Sequence, residues 1–191
     1  TYIHGDIRDD RERVQKLIQD TDVVVDLIAY ANPSLYITMP LEVFHLNFTE
    51  NLKIAEDCVK YKKRLVQFST CEVYGKTVVP IVGDSLADPT DPKYGTFNED
   101  TSPMILGSVD QHRWIYSCAK QLLERILHAY GLDDQLQYSI IRPFNFIGPR
   151  IDYLPSEQDD NPRVFSHFVE SIKNGGVMKL VNGGAQQRSY T

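Results

Sequence analysis

The chain has 191 residues, of which 42% are hydrophobic and 24% are charged. This length and composition predict one folded domain, or most of one, and exclude a disordered tail. No apolar run approaches the roughly 18 residues of a membrane-spanning helix, and a net charge of -6 argues against a basic surface for nucleic acid. We therefore expect neither a membrane nor a nucleic-acid partner.

The three cysteines, Cys58, Cys71 and Cys118, are far apart in the sequence and form no CxxC pair. They indicate neither a disulfide framework nor a zinc site, and they favour a reducing, cytoplasmic compartment. The five histidines show no HExxH or HxH spacing, so we expect no metal site. The chain begins with Thr1 in apparent strand sequence, which predicts a piece of a longer protein.

Short β-branched runs alternate with longer helical stretches, which is the pattern of a parallel α/β sheet. Strands are predicted at 1–4, 22–27, 64–69, 137–142 and 178–181, and helices at 9–19, 40–62, 114–130 and 163–173. Gly131 is predicted to end the third helix. The expected fold is α/β and Rossmann-like: a parallel sheet with helices on both faces, truncated at its N-terminus.

A long predicted loop, 70–112, is punctuated by prolines and glycines. A connection of that length inside a compact domain is usually functional. Ligands of open parallel sheets bind beyond the carboxyl ends of the strands. We therefore expect four short segments to converge on one crevice: Gly5-Asp6-Ile7, Ala29-Tyr30-Ala31, Ser69-Thr70-Cys71-Glu72 and Arg142-Pro143-Phe144-Asn145.

The most informative single feature is the run Tyr116-Ser117-Cys118-Ala119-Lys120 at the start of a predicted helix. Residues four apart share a helix face, so the Tyr116 phenol and the Lys120 ammonium are expected to be neighbours. A cation beside a phenol favours the phenolate and lowers the pKa of the tyrosine. Such a tyrosine can take a proton from a sugar hydroxyl while hydride leaves the same carbon.

With the upstream strand ending in Ser69-Thr70, this helix resembles the extended short-chain dehydrogenase/reductase family. That family uses a Ser/Thr–Tyr–Lys set with NAD as its cofactor. Asp6, in Gly5-Asp6-Ile7, is similar to the aspartate that contacts the adenine. Asn47 matches the family's structural asparagine in the helix below the site.

Longer stretches resemble one branch of the family, which contains the UDP-glucuronic acid decarboxylase domain of the aminoarabinose pathway and the plant UDP-apiose/UDP-xylose synthases. They are Ser69-Thr70-Cys71-Glu72-Val73-Tyr74-Gly75, Arg113-Trp114-Ile115-Tyr116, the run from Arg142 to Arg150, and Gly183-Gly184 followed by Arg188. The resemblance implies that 1–150 is a partial NAD-binding domain lacking the Gly-rich first unit. It also implies that 151–191 begins a small substrate-binding region.

The resemblance also implies roles for individual residues. The implied catalytic set is Thr70, Cys71, Glu72, Tyr116 and Lys120. The implied NAD-binding residues are Asp6, Ile7, Leu27, Ala29, Asn47, Ser69, Tyr116 and Lys120, and the implied UDP-sugar-binding residues are Tyr36, Asn145, Lys179 and Arg188. Glu72 matches the acidic residue beside C5 and the carboxylate of the sugar.

Two positions separate the sub-branches. Cys71 matches the apiose synthases, where the thiol serves in ring contraction, whereas Ala31 matches the decarboxylases, in which alanine replaces a second cysteine. A free cysteine is also commonly just a small buried residue. The two positions leave both reactions open.

The expected reaction is NAD-dependent oxidation of UDP-glucuronic acid at C4, followed by decarboxylation. The alternatives are a UDP-apiose/UDP-xylose synthase, a nucleotide-sugar 4-epimerase or 4,6-dehydratase, and a non-catalytic NAD-binding sensor. Dehydratases use an Asp-Glu pair, and Cys71-Glu72 lacks the aspartate, which counts against a dehydratase. Sensors often lose the tyrosine or the lysine, whereas this chain has both, which counts against a sensor. The long helices 41–62 and 113–130 predict a homodimer.

Overall fold

The computed structural model describes residues 1–77, 81, 83–88, 91–133, 135–149, 153–154, 163–184 and 189–190. They fall into two compact units, Thr1–Arg142 and Pro143–Thr191. The first unit contains a sheet of three strands: β1 (Val23–Asp26), β2 (Arg64–Phe68) and β3 (Tyr138–Ile141). The division into functional domains at residue 150 stays a prediction.

All three strands are parallel, in the order β1-β2-β3. The register pairs Asp26 with Gln67 and Gln67 with Ile140. Residues on one face are buried, including Asp26 and Gln67, whereas Val23 and Val25 on the other face are exposed. The predicted parallel sheet and Rossmann-like fold are therefore confirmed.

In the described part of the first unit, the longer helical elements are α1 (Arg11–Gln19), α2 (Pro33–Thr38), α3 (Pro40–Phe44), α4 (Asn51–Tyr61) and α5 (Ile115–Leu132). Helix α2 was not among the predicted helices. Its start has a local signal, because the Asn32 side chain accepts a hydrogen bond from the Ser34 amide at 3.0 Å and Pro33 follows directly. Asparagine at the N-cap and proline at the first helical position both favour helix initiation.

The predicted helix 40–62 contains a π-helical segment, His45–Glu50, between α3 and α4. Two buried asparagine amides donate to carbonyls of the preceding turn: Asn47 Nδ2 to Val43 O at 2.8 Å, and Asn51 Nδ2 to Leu46 O at 3.0 Å. These bonds satisfy main-chain acceptors where the regular pattern shifts. Segments of this type are frequent at functional sites.

The main core forms where α4 and α5 pack against the buried face of the sheet. Its buried residues are Ile18, Ile54, Ala55, Cys58, Leu65, Leu123, Leu127 and Leu136. A second cluster consists of Tyr36, Val43 and Tyr116. The second cluster holds the start of α5 against α2 and α3, so the hydrophobic effect fixes the position of Tyr116.

The structure corrects three expectations about elements. Residues 1–4 form no strand, and 178–181 form none either; instead a 3₁₀ turn spans Val181–Gly184. Helix α5 also continues through Gly131 to Leu132. A side chain at Gly131 would collide with the ring of Tyr138, so the glycine makes room for packing rather than ending the helix.

The second unit contains α6 (Val164–Asn174), which ends at Gly175 in a left-handed conformation with φ of 65°. Asn145 Nδ2 donates to Ser189 O at 2.9 Å in the same unit. Within the described ranges, no helix is long and apolar enough to cross a membrane. The same residues show no group of three or more His, Cys, Asp or Glu side chains that could hold a metal ion.

Candidate active site

The candidate site starts at the carboxyl end of β2, where Ser69 and Thr70 are buried. Thr70 is in extended conformation and caps the 3₁₀ turn Cys71–Tyr74, because its Oγ1 accepts a hydrogen bond from the Glu72 amide at 3.2 Å. Gly75 ends the turn with φ of 67°, and a side chain there would collide with the Ile105 carbonyl. The cap at Thr70 and the glycine at the other end fix the conformation of this turn and therefore the position of the Glu72 backbone.

Tyr116 lies in the first turn of α5 and is buried. The Thr70 hydroxyl lies near enough to the phenol to favour the charged form of Tyr116, so the strand end and the helix approach each other here. The ring also stacks on Tyr36, with 4.8 Å between centroids and 14° between planes. The structure thus brings together three residues that the sequence assigned to catalysis and sugar binding.

Lys120 lies one turn after Tyr116 and is 1% exposed. Its Nζ donates to Asn51 Oδ1 at 3.0 Å and to the Phe68 carbonyl at 3.1 Å. Burial lowers the pKa of Lys120 to about 8, although the negative charges of Asp26 and Glu124 oppose that shift. The two hydrogen bonds hold the lysine in place against α4 and the end of β2.

The expected depression of the Tyr116 pKa is not what the structure shows. Burial raises the pKa of Tyr116 to about 12; the Thr70 hydroxyl opposes this rise, and the charges of Glu72 and Cys71 add to it. Loss of solvation disfavours a buried phenolate, and Lys120 directs its Nζ to Asn51 and Phe68. Sequence spacing alone could not reveal these competing effects.

Glu72 and Cys71 lie beside this cluster. The Ser117 hydroxyl donates to Glu72 Oε2 at 3.4 Å, which ties the carboxylate to the first turn of α5. Burial is the main reason that the pKa values of Tyr116 and Tyr36 are raised, and the negative charge of Glu72 raises both further. Cys71 is half-buried, whereas Cys58 is buried.

The predicted NAD-binding residues occupy different surroundings. Ala29 packs against the Tyr36–Tyr116 cluster, and Ile7 packs against the main core. Leu27 is exposed. Asp6 is also exposed and forms an ion pair with Arg8 at 2.6 Å, whose hydrogen bonds lower the pKa of Asp6 to about 2.

Asn47 is fully buried in the π-helical segment, and its Nδ2 also donates to the Tyr30 carbonyl at 3.2 Å. It thereby ties the helix to the segment after β1. This supports the structural role that the family resemblance implied for Asn47.

The substrate-binding residues predicted near the chain's end belong to the second unit. Asn145 donates to Ser189 there, and Lys179 is exposed. Arg188 lies outside the described residues, as does Arg150 of the longer motif. Their proposed contacts with the nucleotide-sugar stay predictions.

Sequence reasoning missed three side chains of the site: Asp26, Asn51 and Gln67, each no more than 2% exposed. Gln67 Nε2 lies 3.4 Å from Asn51 Oδ1, the same atom that accepts from Lys120. A signal was present, because Asp26 and Gln67 interrupt apolar strands and Asn51 follows Asn47 by one turn. Buried polar residues in such runs need partners.

The described residues fit a dinucleotide cofactor at this end of the sheet. Three buried polar atoms there, Asn47 Oδ1, Gln67 Oε1 and Ser69 Oγ, have no hydrogen-bond partner among the described residues. Buried polar atoms left unpaired are costly, and a carboxamide or ribose group could satisfy them. Lys120 supplies a cation beside them.

Comparison with known protein families identifies the family of this chain. The model of the NAD dependent epimerase/dehydratase family matches residues 1–191. The chain belongs to this family. NAD is the cofactor of the family, and the predicted resemblance is confirmed.

Two more comparisons support this membership. The chain is 40% identical over 181 residues to UDP-D-apiose/UDP-D-xylose synthase 2 of Arabidopsis thaliana, covering 93% of this chain and 46% of the relative. It matches the crystal structure of PbgP3 protein from Burkholderia pseudomallei with a TM-score of 0.78 and 37% identity, covering 99% of this chain and 52% of the other. The chain therefore spans about half the length of these relatives.

A more distant structure shares the fold. UDP-glucuronic acid 4-epimerase from Bacillus cereus, in complex with UDP-glucuronic acid and NAD, has a TM-score of 0.72 and 23% identity. The alignment covers 100% of this chain and 51% of that one. At this identity the likeness concerns the fold alone.

The position of the Thr70 hydroxyl beside Tyr116 leads to a first prediction. Replacing Thr70 by valine removes the hydroxyl that favours the Tyr116 phenolate, so the tyrosine should ionise at a higher pH. A pH titration of tyrosinate absorbance checks this, with the signal of Tyr116 isolated by subtracting a Tyr116→Phe variant. Thr70→Ser restores the hydroxyl and should restore the titration; an unchanged midpoint in Thr70→Val would contradict the assigned contact.

Proposed function

We propose that the protein oxidises C4 of UDP-glucuronic acid with NAD and then decarboxylates the product. The observation that carries this proposal is the buried Tyr116 beside Thr70 at the end of β2, with Glu72 fixed in the turn next to them. A base, a hydroxyl and a second proton-transferring group at one strand end suit the removal of the C4 hydroxyl proton and the delivery of a proton to C5 after decarboxylation. The relatedness to a UDP-apiose/UDP-xylose synthase supports the choice of UDP-glucuronic acid.

In the proposed reaction, Tyr116 accepts the proton of the C4 hydroxyl, and Thr70 hydrogen-bonds the same oxygen. When bound, oxidised NAD supplies a hydride acceptor and a positive charge that favours the phenolate. The substrate is then a β-keto acid, and loss of its carboxylate leaves the electron pair on the new carbonyl as an enolate. Glu72 handles the proton that enters at C5.

The geometry assigns distinct tasks to the residues around Tyr116. Tyr36 covers one face of the Tyr116 ring and excludes water from it. Lys120 holds a positive charge one turn away, in a position set by Asn51 and the Phe68 carbonyl. Asp6, Ile7, Leu27, Ala29, Asn47 and Ser69 are proposed to bind the cofactor, and Asn145, Lys179 and Arg188 to bind the nucleotide-sugar.

The test is a product analysis with the full-length protein, UDP-glucuronic acid and NAD. We expect release of carbon dioxide and a UDP-pentose or UDP-4-keto-pentose, identified by mass. Conversion of the sugar with its carboxylate retained would instead indicate a 4-epimerase and would overturn the decarboxylase proposal. Absence of turnover with binding of NAD alone would favour the sensor.

UDP-apiose formation is a second candidate, and Cys71 is the observation that favours it. The thiol is half-buried beside Glu72, within the turn that Thr70 caps. Resolving UDP-apiose from UDP-xylose in the product mixture separates the two reactions. Cys71→Ser should remove apiose and leave decarboxylation if the thiol serves in ring contraction.

Glu72 provides a further prediction. Glu72→Gln retains the shape of the side chain but removes the carboxylate, so proton transfer at C5 should be slower, by about two orders of magnitude or more. Oxidation at C4 should be less affected, because Tyr116 performs that step. Rapid-mixing absorbance of NADH follows the oxidation, and quenched-flow mass analysis of the UDP-4-keto-pentose protonated at C5 follows the second step; equal rates of formation of this product in the variant and the parent would reject the role.

We also propose a homodimer and a cytoplasmic location. The proposed dimer uses α4 and α5, and Leu122 of α5 is exposed on the first unit. Light scattering of the purified protein measures its mass in solution. A monomeric mass would reject the dimer.

A further inference from the structure

A buried carboxylate, Asp26, lies at the end of β1 and takes no part in the proposed reaction. Its side chain is on the face of the sheet that packs against helices, and it is 2% exposed. Oδ1 accepts a hydrogen bond from the Ile28 amide at 2.9 Å. Oδ2 has no hydrogen-bond partner within the described ranges. A buried carboxylate with one unpaired oxygen needs a compensating charge.

Gln67 and Asn51 lie between Asp26 and Lys120. Asp26 is paired with Gln67 on the neighbouring strand, and paired residues of parallel strands direct their side chains to the same face. The Gln67 amide lies 3.4 Å from Asn51 Oδ1, and Lys120 Nζ lies 3.0 Å from that same oxygen. These four side chains form one layer between the sheet and helices α4 and α5.

Of these four side chains, only Asp26 and Lys120 are ionisable. The two charges act on each other: burial raises the pKa of Asp26 while Lys120 opposes the rise, and burial lowers the pKa of Lys120 while Asp26 opposes the fall. Each charge therefore opposes the effect of burial on the other, across the layer that contains the Gln67 and Asn51 amides.

Other titratable groups near this layer have different main partners. Glu124, one turn beyond Lys120, forms an ion pair with Arg142 at 2.7 Å. Cys58 of α4 faces the same core, where burial and the charges of Asp57 and Asp26 raise the pKa of its thiol to about 12. Tyr116 precedes Lys120 by one turn, and its pKa is raised chiefly by burial.

We propose that Asp26 is the buried counter-ion of Lys120: a positioning residue that keeps the lysine charged and, with Asn51 and Gln67, holds it below the candidate active site. This inference rests on the proposed function only in calling Lys120 catalytic. Asp26 itself acts through Lys120 and has no contact with the reacting atoms. Removal of the Asp26 charge should change the titration of Lys120 in the folded protein.

The experiment replaces Asp26 by asparagine, which keeps the shape and the acceptor for the Ile28 amide but removes the charge. The readout is the pH titration of the Lys120 Cε resonance by NMR of lysine-labelled protein, assigned with Lys120→Met. We expect the midpoint to fall in Asp26→Asn, by up to about one pH unit, because the charge that is removed opposes the fall in the pKa of Lys120 caused by burial. A midpoint that stays or rises would overturn the proposal.

Asp57→Asn is the matched control. Asp57 is another buried carboxylate, but it faces α1, where it pairs with Arg11 and accepts from Gln15 Nε2 at 3.0 Å. The control should leave the titration of Lys120 unchanged, and an equal fall in both variants would also overturn the proposal.

A double-mutant cycle keeps the inference testable if Asp26→Asn is poorly folded. Each single change, Asp26→Asn or Lys120→Met, leaves the other charge buried without its partner, so the two together should cost less stability in urea than the sum of the singles. Additive losses would contradict the pairing. Because neither readout uses substrate, failure of the proposed decarboxylation would leave this test intact.

Discussion

Replacing Tyr116 by phenylalanine is expected to lower turnover of UDP-glucuronic acid by about two to four orders of magnitude, which is the usual contribution of a positioned general base. The ring should stay in place, because its stacking on Tyr36 at 4.8 Å and its burial do not depend on the hydroxyl. What disappears is the phenolic oxygen beside Thr70. The loss should therefore fall on kcat, with KM little changed.

Carbon dioxide release and NADH absorbance in the full-length protein measure this effect. Tyr74→Phe serves as the matched control, because Tyr74 is another buried tyrosine and its hydroxyl accepts from Arg142 Nη1 at 3.2 Å, away from Thr70. We expect the control to retain turnover. Wild-type turnover in Tyr116→Phe would remove Tyr116 as the base and, with it, the proposed chemistry.

Replacing Arg142 by methionine is expected to destabilise the protein by about 3–5 kcal/mol, the usual cost of leaving one member of a buried ion pair alone. Arg142 donates through Nε and Nη2 to both carboxylate oxygens of Glu124, at 2.7 to 3.2 Å. Its guanidinium also lies 4.9 Å from the centre of the Tyr74 ring. The substitution leaves the buried carboxylate of Glu124 without its partner.

Urea unfolding monitored by circular dichroism measures this loss. The double variant Arg142→Met with Glu124→Leu removes both charges and should recover much of the stability, since a buried ion pair can often be replaced by apolar residues. Arg8→Met offers a comparison, because Arg8 pairs with Asp6 at the surface and its loss should have little effect. Equal effects at Arg8 and Arg142 would contradict the role given to burial.

The sequence predicted the parallel sheet because a continuous apolar run such as Val23-Val24-Val25 has few alternatives. It also located α5, whose apolar residues recur at helical spacing. It failed at residues 1–4 and 178–181, since strand formation depends on pairing partners that no local pattern encodes. Gly131 was misread for a related reason: its empty side is filled by the Tyr138 ring of the next strand, β3, and this packing is a tertiary contact that helix-end signals do not encode.

The candidate site was predictable where spacing along one element sufficed. Tyr116 and Lys120 are one turn apart, and Thr70 follows a recognisable strand. The pKa of Tyr116 was not predictable, because it depends on burial among residues from α2 and α3. The layer of Asp26, Gln67 and Asn51 was missed for the same reason, since it combines two strands and a helix.

The π-helical segment has a consequence for changes in chain length. One residue of an α-helix corresponds to a rotation of about 100°, so deleting a single residue within His45–Glu50 could restore a regular helix only by rotating one flank against the other. Either Asn47 would turn away from the Tyr30 carbonyl, or Asn51 would turn away from Lys120. The extra residue of the π-helical segment thus allows Asn47 and Asn51 to contact their partners at the same time, and a one-residue deletion would break one of these two contacts.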